Sequence, residues 1–269
     1  MRNTGLRKRT LLTAATAFFA LLAVALLHSG CAQETFTLEK GVLSVACLPD
    51  NPPLSSLSDG ECTGFDAELA AEIAARLGLK CTYSPTGWND LFTGLEEGRY
   101  DLVVSAVTIT HERSRRLDFS IPYLNTDQSI VVLRDSPTRG IDDLPGRIVA
   151  VLGESTPQHA AENIPGLLEI KRYDNVSAVY RALGDGEADA VIIDYAIARY
   201  RSQAEGDTEV VATIRTVEQY GVVTKKGNRR LLEKVNSALE EIMADGTYDA
   251  IGGKWFGDAW GTHRLPSTR

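Results

Sequence analysis

Segments typical of strands and segments typical of helices alternate along this chain, and the alternation limits the folds that it can adopt. Short runs rich in apolar and β-branched residues predict strands: GVLSVACL (41–48), CTYSP (81–85), YDLVVSAVTI (100–109), IVAVLG (148–153), LEIKRY (168–173) and ADAVII (188–193). Amphipathic helices are predicted between them, and in the first of these Phe65, Leu69, Ile73 and Leu77 fall on one face. Such alternation predicts an α/β fold built on a mainly parallel sheet flanked by helices.

The pattern L-x-x-G-x-x-D occurs at 95–101 and again at 183–189, and each copy leads directly into an apolar strand. This repetition predicts two lobes built on the same unit. Aligning the copies places Asp194, at the end of the second strand, opposite Ala106. The sequence leaves two interpretations of this acid open: it receives a ligand's ammonium group, or it caps the helix predicted at 195–203.

The N-terminus has the pattern of an export signal. Four basic residues within the first nine precede an uncharged apolar run at 11–27. This predicts a signal peptide over residues 1–30, with an uncleaved membrane anchor as the alternative. Ser29-Gly30-Cys31 resembles the end of a bacterial lipobox, which predicts a lipid anchor on Cys31, with ordinary cleavage nearby as the alternative. In either case we expect the mature chain in the periplasm or at the cell surface.

Charge and cysteine content argue against several classes of function. The net charge is −8, and loss of residues 1–30, which carry four basic residues and no acid, makes it −12. A strongly acidic chain argues against nucleic-acid binding, because it has little positive charge to meet phosphates. The four cysteines, Cys31, Cys47, Cys62 and Cys81, include no CxxC pair, so no metal site is expected. In an exported chain Cys62 can pair with another cysteine, and buried free thiols are the alternative.

Polar and aromatic residues follow the predicted strands at the edge of the sheet where ligands bind. Parallel α/β sheets bind ligands outside the carboxyl ends of their strands. The residues predicted at this edge are Asn51, Trp88, Ser105, Ala106, Thr108, Arg113, Ser155, Thr156 and Asp194.

The chemistry of this set suits a zwitterion. Arg113 offers a planar pair of donors for a carboxylate, and Asp194 offers an anion for an ammonium group. Thr156 precedes Pro157, so we expect Thr156 to be the N-cap of a helix whose free N–H groups favour an anion. Trp88 offers a flat apolar face. Each residue alone has a plainer explanation, such as a surface ion pair, a helix cap or core packing, and only the set predicts a free amino acid as ligand.

Three motifs, in order along the chain, resemble the extracellular solute-binding proteins, family 3, of polar amino-acid ABC importers. They are GFDAELAAEIAARLG (64–78), SAVTITHERSRRLDFSIPY (105–123) and DGTYDAIGGKWFG (245–257), and the resemblance runs from Leu43 to Gly257. It implies a two-lobed periplasmic-binding-protein (type II) fold, in which each lobe is a mainly parallel sheet flanked by helices and two crossover strands join the lobes. The implied divisions are a linker at 31–40, lobe 1 at 41–126 and 219–262, lobe 2 at 127–218 and a tail at 263–269.

The resemblance also implies roles for the candidate site residues. The implied contacts are Arg113 and Thr156 for the ligand carboxylate, Ser105 and Thr108 for carboxylate and ammonium, Asp194 for the α-ammonium, and Trp88 as an aromatic wall. Asn51 and Leu54 stand where the family commonly has an aromatic segment, so one wall of the side-chain pocket is less aromatic. Ala106 and Leu48 stand where binders of basic amino acids carry Ser and an acid, which disfavours lysine or arginine as ligand. Asp50 is the alternative source of that acid.

The implied function is that of the substrate-binding component of an ABC importer, with a free polar amino acid held in the cleft between the lobes. The lobes would close by hinge motion, and the closed monomer would dock on a membrane permease driven by an ATPase. No cofactor, metal or catalytic residue is expected. One alternative is a periplasmic dehydratase of the prephenate or arogenate type, for which Glu154 is the candidate general acid. Another is a sensor module, which would carry additional domains.

Overall fold

The computed structural model describes residues 35–265, so the predicted signal peptide (1–30), the lipidation site at Cys31 and the end of the predicted tail lie outside the described residues. The strands are β1 (Val42–Cys47), β2 (Asp50–Asn51), β3 (Ser55–Ser58), β4 (Glu61–Thr63), β5 (Lys80–Pro85), β6 (Leu102–Val103), β7 (Leu117–Leu133), β8 (Ile148–Leu152), β9 (Glu169–Tyr173), β10 (Ala190–Asp194) and β11 (Thr208–Lys225). The helices are α1 (Phe65–Arg76), α2 (Trp88–Glu97), α3 (His111–Arg116), α4 (Thr156–Glu162), α5 (Val176–Gly184), α6 (Tyr195–Ala204), α7 (Arg229–Ala244), α8 (Thr247–Phe256) and α9 (Trp260–His263).

Eight of these strands form one sheet in the order β5-β1-β6-β11-β7-β10-β8-β9. The strands on each side of the sheet are parallel: β5, β1 and β6 on one side, and β10, β8 and β9 on the other. β7 and β11 lie between them and run antiparallel to each other and to their outer neighbours. We call the side with β5, β1 and β6 lobe 1 and the side with β10, β8 and β9 lobe 2.

β7 and β11 are the two crossover strands that the family resemblance implied. The predicted lobe boundaries, at 126/127 and 218/219, fall inside these strands. Their pairing is irregular just before Glu218, where Val217 has a positive φ of 54°. The Asp127 carboxylate accepts hydrogen bonds from the N–H groups of Thr216 and Val217 and so holds this irregular backbone in place. The long ladder is therefore interrupted at the level where the lobes meet.

The two copies of L-x-x-G-x-x-D end on aspartates that have the same structural role in each lobe. The Asp101 carboxylate accepts hydrogen bonds from the N–H and the hydroxyl of Ser44, at the start of β1. The Asp189 carboxylate accepts one from the N–H of Ile148, at the start of β8. The glycines of the two copies have positive φ angles of 75° and 73°, which other residues adopt with difficulty. The motif thus fixes the turn from helix to strand and fastens the neighbouring strand.

Helix α1 buries its predicted apolar face in the core of lobe 1. Phe65, Leu69 and Ile73 on this face are fully buried. The helix begins after Gly64, which has a φ of 125°, and a Cβ added there would lie 2.2 Å from the carbonyl oxygen of Leu54. Only glycine allows this close approach of the two backbone segments.

The predicted strand at 100–109 is interrupted, because Leu102–Val103 is its only strand segment and Thr108 rejoins the sheet through a single bridge to Tyr220. Between them the chain turns away at Ala106, which has a positive φ of 52°. The Ala106 N–H donates to the Asp66 carboxylate at 2.7 Å instead of continuing a strand ladder. A buried side chain therefore overrides the β-type sequence pattern at this point.

A small three-stranded sheet, β2-β3-β4, follows β1 and was not predicted. A disulfide between Cys47 and Cys62 joins it to β1, which resolves the pairing that the sequence left open, and Cys81 is a free thiol. Among residues 35–265, no helix is long and apolar enough to cross a membrane.

Candidate functional site

A small cavity lies between the lobes, at the carboxyl ends of β1, β8 and β10. Seven of the nine residues predicted for the site line it: Asn51, Trp88, Ala106, Thr108, Ser155, Thr156 and Asp194. The remaining wall is apolar and consists of Leu48, Leu152, Pro157, Val176, Ile193 and Ile197. The cavity measures about 20 Å³, which is room for about one water molecule. The lobes are thus closed on each other, and an amino acid can enter only after they separate.

Hydrogen bonds join the two lobes around the cavity. The hydroxyl oxygens of Thr108 and Thr156 lie 3.4 Å apart across it. The Asp50 carboxylate accepts from the N–H of Ser177 at 2.9 Å, and the Asp50 carbonyl oxygen accepts from Arg201 at 3.3 Å. The carboxylate of Asp50 is therefore engaged with lobe 2 and does not line the cavity, which argues against its holding a ligand's distal cation.

Asp194 ends β10 and is 8% exposed. Its Oδ1 accepts a hydrogen bond from Gln128 Nε2 at 2.9 Å. It occupies the N-cap position of α6, but its side chain makes no capping hydrogen bond, so the helix-cap interpretation of this carboxylate is not supported. Burial and the neighbouring Glu218 carboxylate raise the pKa of Asp194 to about 7. The group is therefore a buried acid that a cation would favour in its charged form.

Arg113 lies on α3 in lobe 1 and is half-buried, and it is not among the residues that line the cavity. Its guanidinium carbon is 5.2 Å from the ring centroids of both Trp88 and Phe92, and Nη1 donates to the carbonyl oxygen of Thr108 at 3.0 Å. Burial lowers its pKa, while the charge of Asp194 acts in the opposite direction. Within residues 35–265 it forms no ion pair with a carboxylate. The guanidinium is thus held rigidly, with donors left for another acceptor.

The start of α4 differs from the sequence prediction, because Ser155 and not Thr156 is the N-cap. The Ser155 hydroxyl accepts from the N–H of Gln158 and donates to the carbonyl oxygen of Leu152. Thr156 is the first helical residue. Its hydroxyl is therefore not used as a cap, and it lies on the cavity wall within 3.4 Å of Thr108 Oγ1 and of Gln128 Nε2.

Two polar residues of the crossover strands, Gln128 on β7 and Glu218 on β11, belong to this site and were not predicted. Gln128 Nε2 lies 3.0 Å from Glu218 Oε1, in addition to its contact with Asp194. Glu218 Oε2 accepts from the hydroxyl of Thr108 at 2.8 Å. Both residues lie in the middle of long strands, where no motif or strand end marks them. Their place at the floor of the cleft depends on the antiparallel pairing of β7 with β11.

Ser105 is predicted as a ligand contact, but the structure does not bring it to the cavity wall. Its fully buried hydroxyl accepts from the N–H of Leu48 at 2.9 Å and lies 3.3 Å from Ser55 Oγ. It therefore fastens the loop after β6 to the end of β1. Asp66, which is also fully buried, holds the next residue of this loop, and burial raises the pKa of Asp66 to about 7.

Two further wall residues carry buried polar atoms without a partner. Asn51 Oδ1 and Trp88 Nε1 form no hydrogen bond with any described residue, although buried polar atoms are rarely left unpaired. A ligand with a polar side chain can satisfy such groups. Glu154, the candidate acid of the dehydratase alternative, is exposed and lies outside the cavity wall. The described part of the chain contains no cluster of His, Cys, Asp and Glu that could hold a metal ion.

Comparison with known proteins identifies the family. The sequence profile of the bacterial extracellular solute-binding proteins, family 3, matches residues 43–258. The L-cystine-binding protein TcyJ of Escherichia coli is 35% identical over 224 residues, which are 81% of this chain and 84% of that protein. The structure of an ancestral arginine-binding protein bound to glutamine matches with a TM-score of 0.77 at 36% identity, covering 82% of this chain and 100% of that chain. The ancestral amino acid-binding protein AncCDT-1, a precursor of cyclohexadienyl dehydratase, matches with a TM-score of 0.75 at 35% identity, covering 80% and 96%.

The fold and the cleft are thus those of a two-lobed binding protein of the periplasmic type. This chain belongs to the bacterial extracellular solute-binding proteins, family 3. The predicted family, fold and class of function are confirmed, since homologues include amino-acid-binding components of ABC transporters.

Proposed function

We propose that this protein binds, between its lobes, a free α-amino acid whose side chain has no net charge and delivers it to a membrane ABC importer. The observation that carries the proposal is the pair Arg113 and Asp194. Arg113 is a cation of lobe 1 without a carboxylate partner, and Asp194 is a buried carboxylate of lobe 2. An α-amino acid brings the complementary groups, because its carboxylate requires a cation and its ammonium group requires an anion.

The carboxylate of the ligand is assigned to Arg113 and Thr156. The two aromatic rings and the Thr108 carbonyl hold the guanidinium in one orientation. Such a fixed fork can bind a carboxylate through two parallel hydrogen bonds. The hydroxyl of Thr156 can donate to this carboxylate from lobe 2, whereas the hydroxyl of Thr108 already donates to Glu218.

The side chain of the ligand is assigned to the apolar part of the cavity wall, with Asn51 and Trp88 as its polar contacts. Asp194 is the acid on this wall, and its carboxylate is needed for the ammonium group. A lysine or arginine side chain would therefore be buried without a partner, which is unfavourable. The relatives include proteins named for cystine and glutamine, which have no net charge, as well as proteins named for arginine.

Closure follows from the placement of the contacts. A ligand that touches Arg113 in lobe 1 and Asp194 in lobe 2 favours the closed state by its differential contacts with the two states. The crossover strands β7 and β11 would act as the hinge. We expect the closed monomer to dock on a permease and its ATPase, without cofactor or catalysis.

A thermal-shift screen of the twenty amino acids and L-cystine, followed by calorimetry, tests this function. We expect tight binding of one or a few amino acids without net charge and no turnover. Absence of binding to any of them would overturn the proposal, as would conversion of prephenate or arogenate by the purified protein.

For the N-terminus we propose, from its sequence pattern, export through residues 1–30 and a lipid anchor on Cys31. Cys31→Ala should move the protein from the membrane fraction to the soluble fraction. An unchanged distribution would refute the anchor.

A further inference from the structure

Three oxygen atoms converge on the side-chain nitrogen of Gln128. Gln128 Nε2 lies 2.9 Å from Asp194 Oδ1, 3.0 Å from Glu218 Oε1 and 3.4 Å from Thr156 Oγ1. The oxygens come from β10, β11 and α4, and Gln128 itself comes from β7. The side chain of Gln128 is fully buried. Lobe 2 and both crossover strands therefore meet at one nitrogen.

Gln128 is an imperfect match for this position. A neutral amide carries two N–H hydrogens, so it cannot donate to three oxygens at once. Its own carbonyl oxygen, Oε1, is buried and has no hydrogen-bond partner among the described residues. An unpaired buried acceptor is unfavourable. The amide thus leaves one of the converging oxygens and its own acceptor unsatisfied.

A primary ammonium group matches the same position better. It carries three donors for the three oxygens, and its positive charge falls beside two carboxylates. We propose that Asp194 Oδ1, Glu218 Oε1 and Thr156 Oγ1 form the seat of the ligand's α-ammonium group. In this arrangement, which rests on the proposed amino-acid function, Glu218 is a ligand-binding residue and Gln128 is an internal competitor. The ligand displaces the Gln128 amide from the ammonium seat.

The charges around the seat support this assignment. Asp194 and Glu218 repel each other, and their repulsion contributes to the raised pKa of Asp194. The cation of Arg113 and the phenol of Tyr220 are the other titratable groups that act on Asp194. Since Arg113 is assigned to the ligand carboxylate, the ammonium group would supply the positive charge that the two acids lack. Thr108 orients Glu218 for this contact through its hydrogen bond to Oε2.

The ammonium seat predicts selectivity at the α-position of the ligand. A 2-hydroxy acid with the same side chain keeps the carboxylate but has one neutral donor in place of three charged ones. The seat should therefore discriminate strongly between an amino acid and its 2-hydroxy analogue, and Glu218 should contribute to this discrimination.

Calorimetry and competition with the amino acid found in the screen, and with its 2-hydroxy analogue, test the seat. Glu218→Gln should weaken amino-acid binding by about tenfold or more, as for loss of a charge-assisted hydrogen bond, and should weaken the analogue much less. Gln128→Leu, which removes the competing donor at similar volume, should tighten amino-acid binding. Glu209→Gln, on the same strand but in an exposed ion pair with Arg139, is the matched control and should change neither.

Equal losses for the amino acid and its analogue in Glu218→Gln would mean that Glu218 acts only on the fold, and would overturn its role in the seat. Weaker or unchanged amino-acid binding in Gln128→Leu would overturn the role of Gln128 as competitor. If the wild-type protein bound no amino acid, the proposed function itself would fail and the seat with it. Failure of the seat, seen only in the variants, can therefore be distinguished from failure of the proposed function, seen in the wild-type protein.

Discussion

Replacement of Arg113 by Ala tests the core of the proposed site. The substitution removes the guanidinium that the Trp88 and Phe92 rings and the Thr108 carbonyl hold in place. No carboxylate of residues 35–265 loses an ion-pair partner by this change, so the folded protein should tolerate it. The ligand carboxylate, in contrast, would be buried in the closed cleft without a cation.

The expected loss of affinity follows from this difference between the free protein and the bound ligand. Truncation of one partner of a buried charge pair costs about 2–5 kcal/mol, which corresponds to a roughly 30- to 5,000-fold weaker affinity. Arg113→Lys keeps the charge but not the planar fork, so its affinity should lie between those of the wild type and Arg113→Ala.

Calorimetry with the best ligand of the screen measures the effect, and a thermal melt of the free protein monitors the fold. Arg116→Ala is the matched control, because Arg116 lies on the same helix and pairs with Glu96 at the surface. The control should bind as the wild type does. An affinity of Arg113→Ala within about threefold of the wild type, well below a one-decade effect, would refute the assignment of the ligand carboxylate.

Three further predictions concern the groups that hold the site. Because burial and Glu218 raise the pKa of Asp194 to about 7, amino-acid affinity should increase as pH rises from 5 to about 7 and then level off; titration calorimetry at several pH values measures this, and a flat profile would contradict the role of Asp194. Asp66→Ala should weaken ligand binding, since Asp66 holds the N–H of Ala106 in a left-handed conformation, and Ala106→Gly should restore part of the loss in the double variant; no restoration would show that Asp66 acts elsewhere. Gly64→Ala should lower the free energy of unfolding by more than about 2 kcal/mol, because its Cβ would lie 2.2 Å from a backbone oxygen. Denaturant unfolding measures this free energy, and a smaller decrease would contradict the prediction.

The site links its chemistry to the hinge more closely than the family resemblance implied. Gln128 and Glu218 lie on the crossover strands and contact side chains of both lobes. The irregular backbone that Asp127 holds at Val217 directly precedes Glu218. The proposed ammonium seat therefore lies next to the irregular segment of the crossover strands.

Local patterns in the sequence were sufficient to predict many of the helices, strands and turns of this protein. The apolar stripe of α1 and the two L-x-x-G-x-x-D motifs predicted elements that the structure contains, because amphipathic periodicity and turn geometry are set by residues close in the chain. The position of Asp194 at a strand end likewise followed from where a short apolar run stops. Seven of the nine candidate residues predicted from strand ends line one cavity.

Contacts between distant parts of the chain determined the features that the sequence did not predict. The turn at Ala106 depends on Asp66, forty residues earlier in the chain, and Ser105 is drawn into the core by the end of β1. Gln128 and Glu218 meet only because β7 pairs with β11, ninety residues apart. Such contacts carry no local signal, since they depend on which distant segments pair. The sequence by itself determined the elements and the family, and long-range pairing determined which polar groups share the cleft.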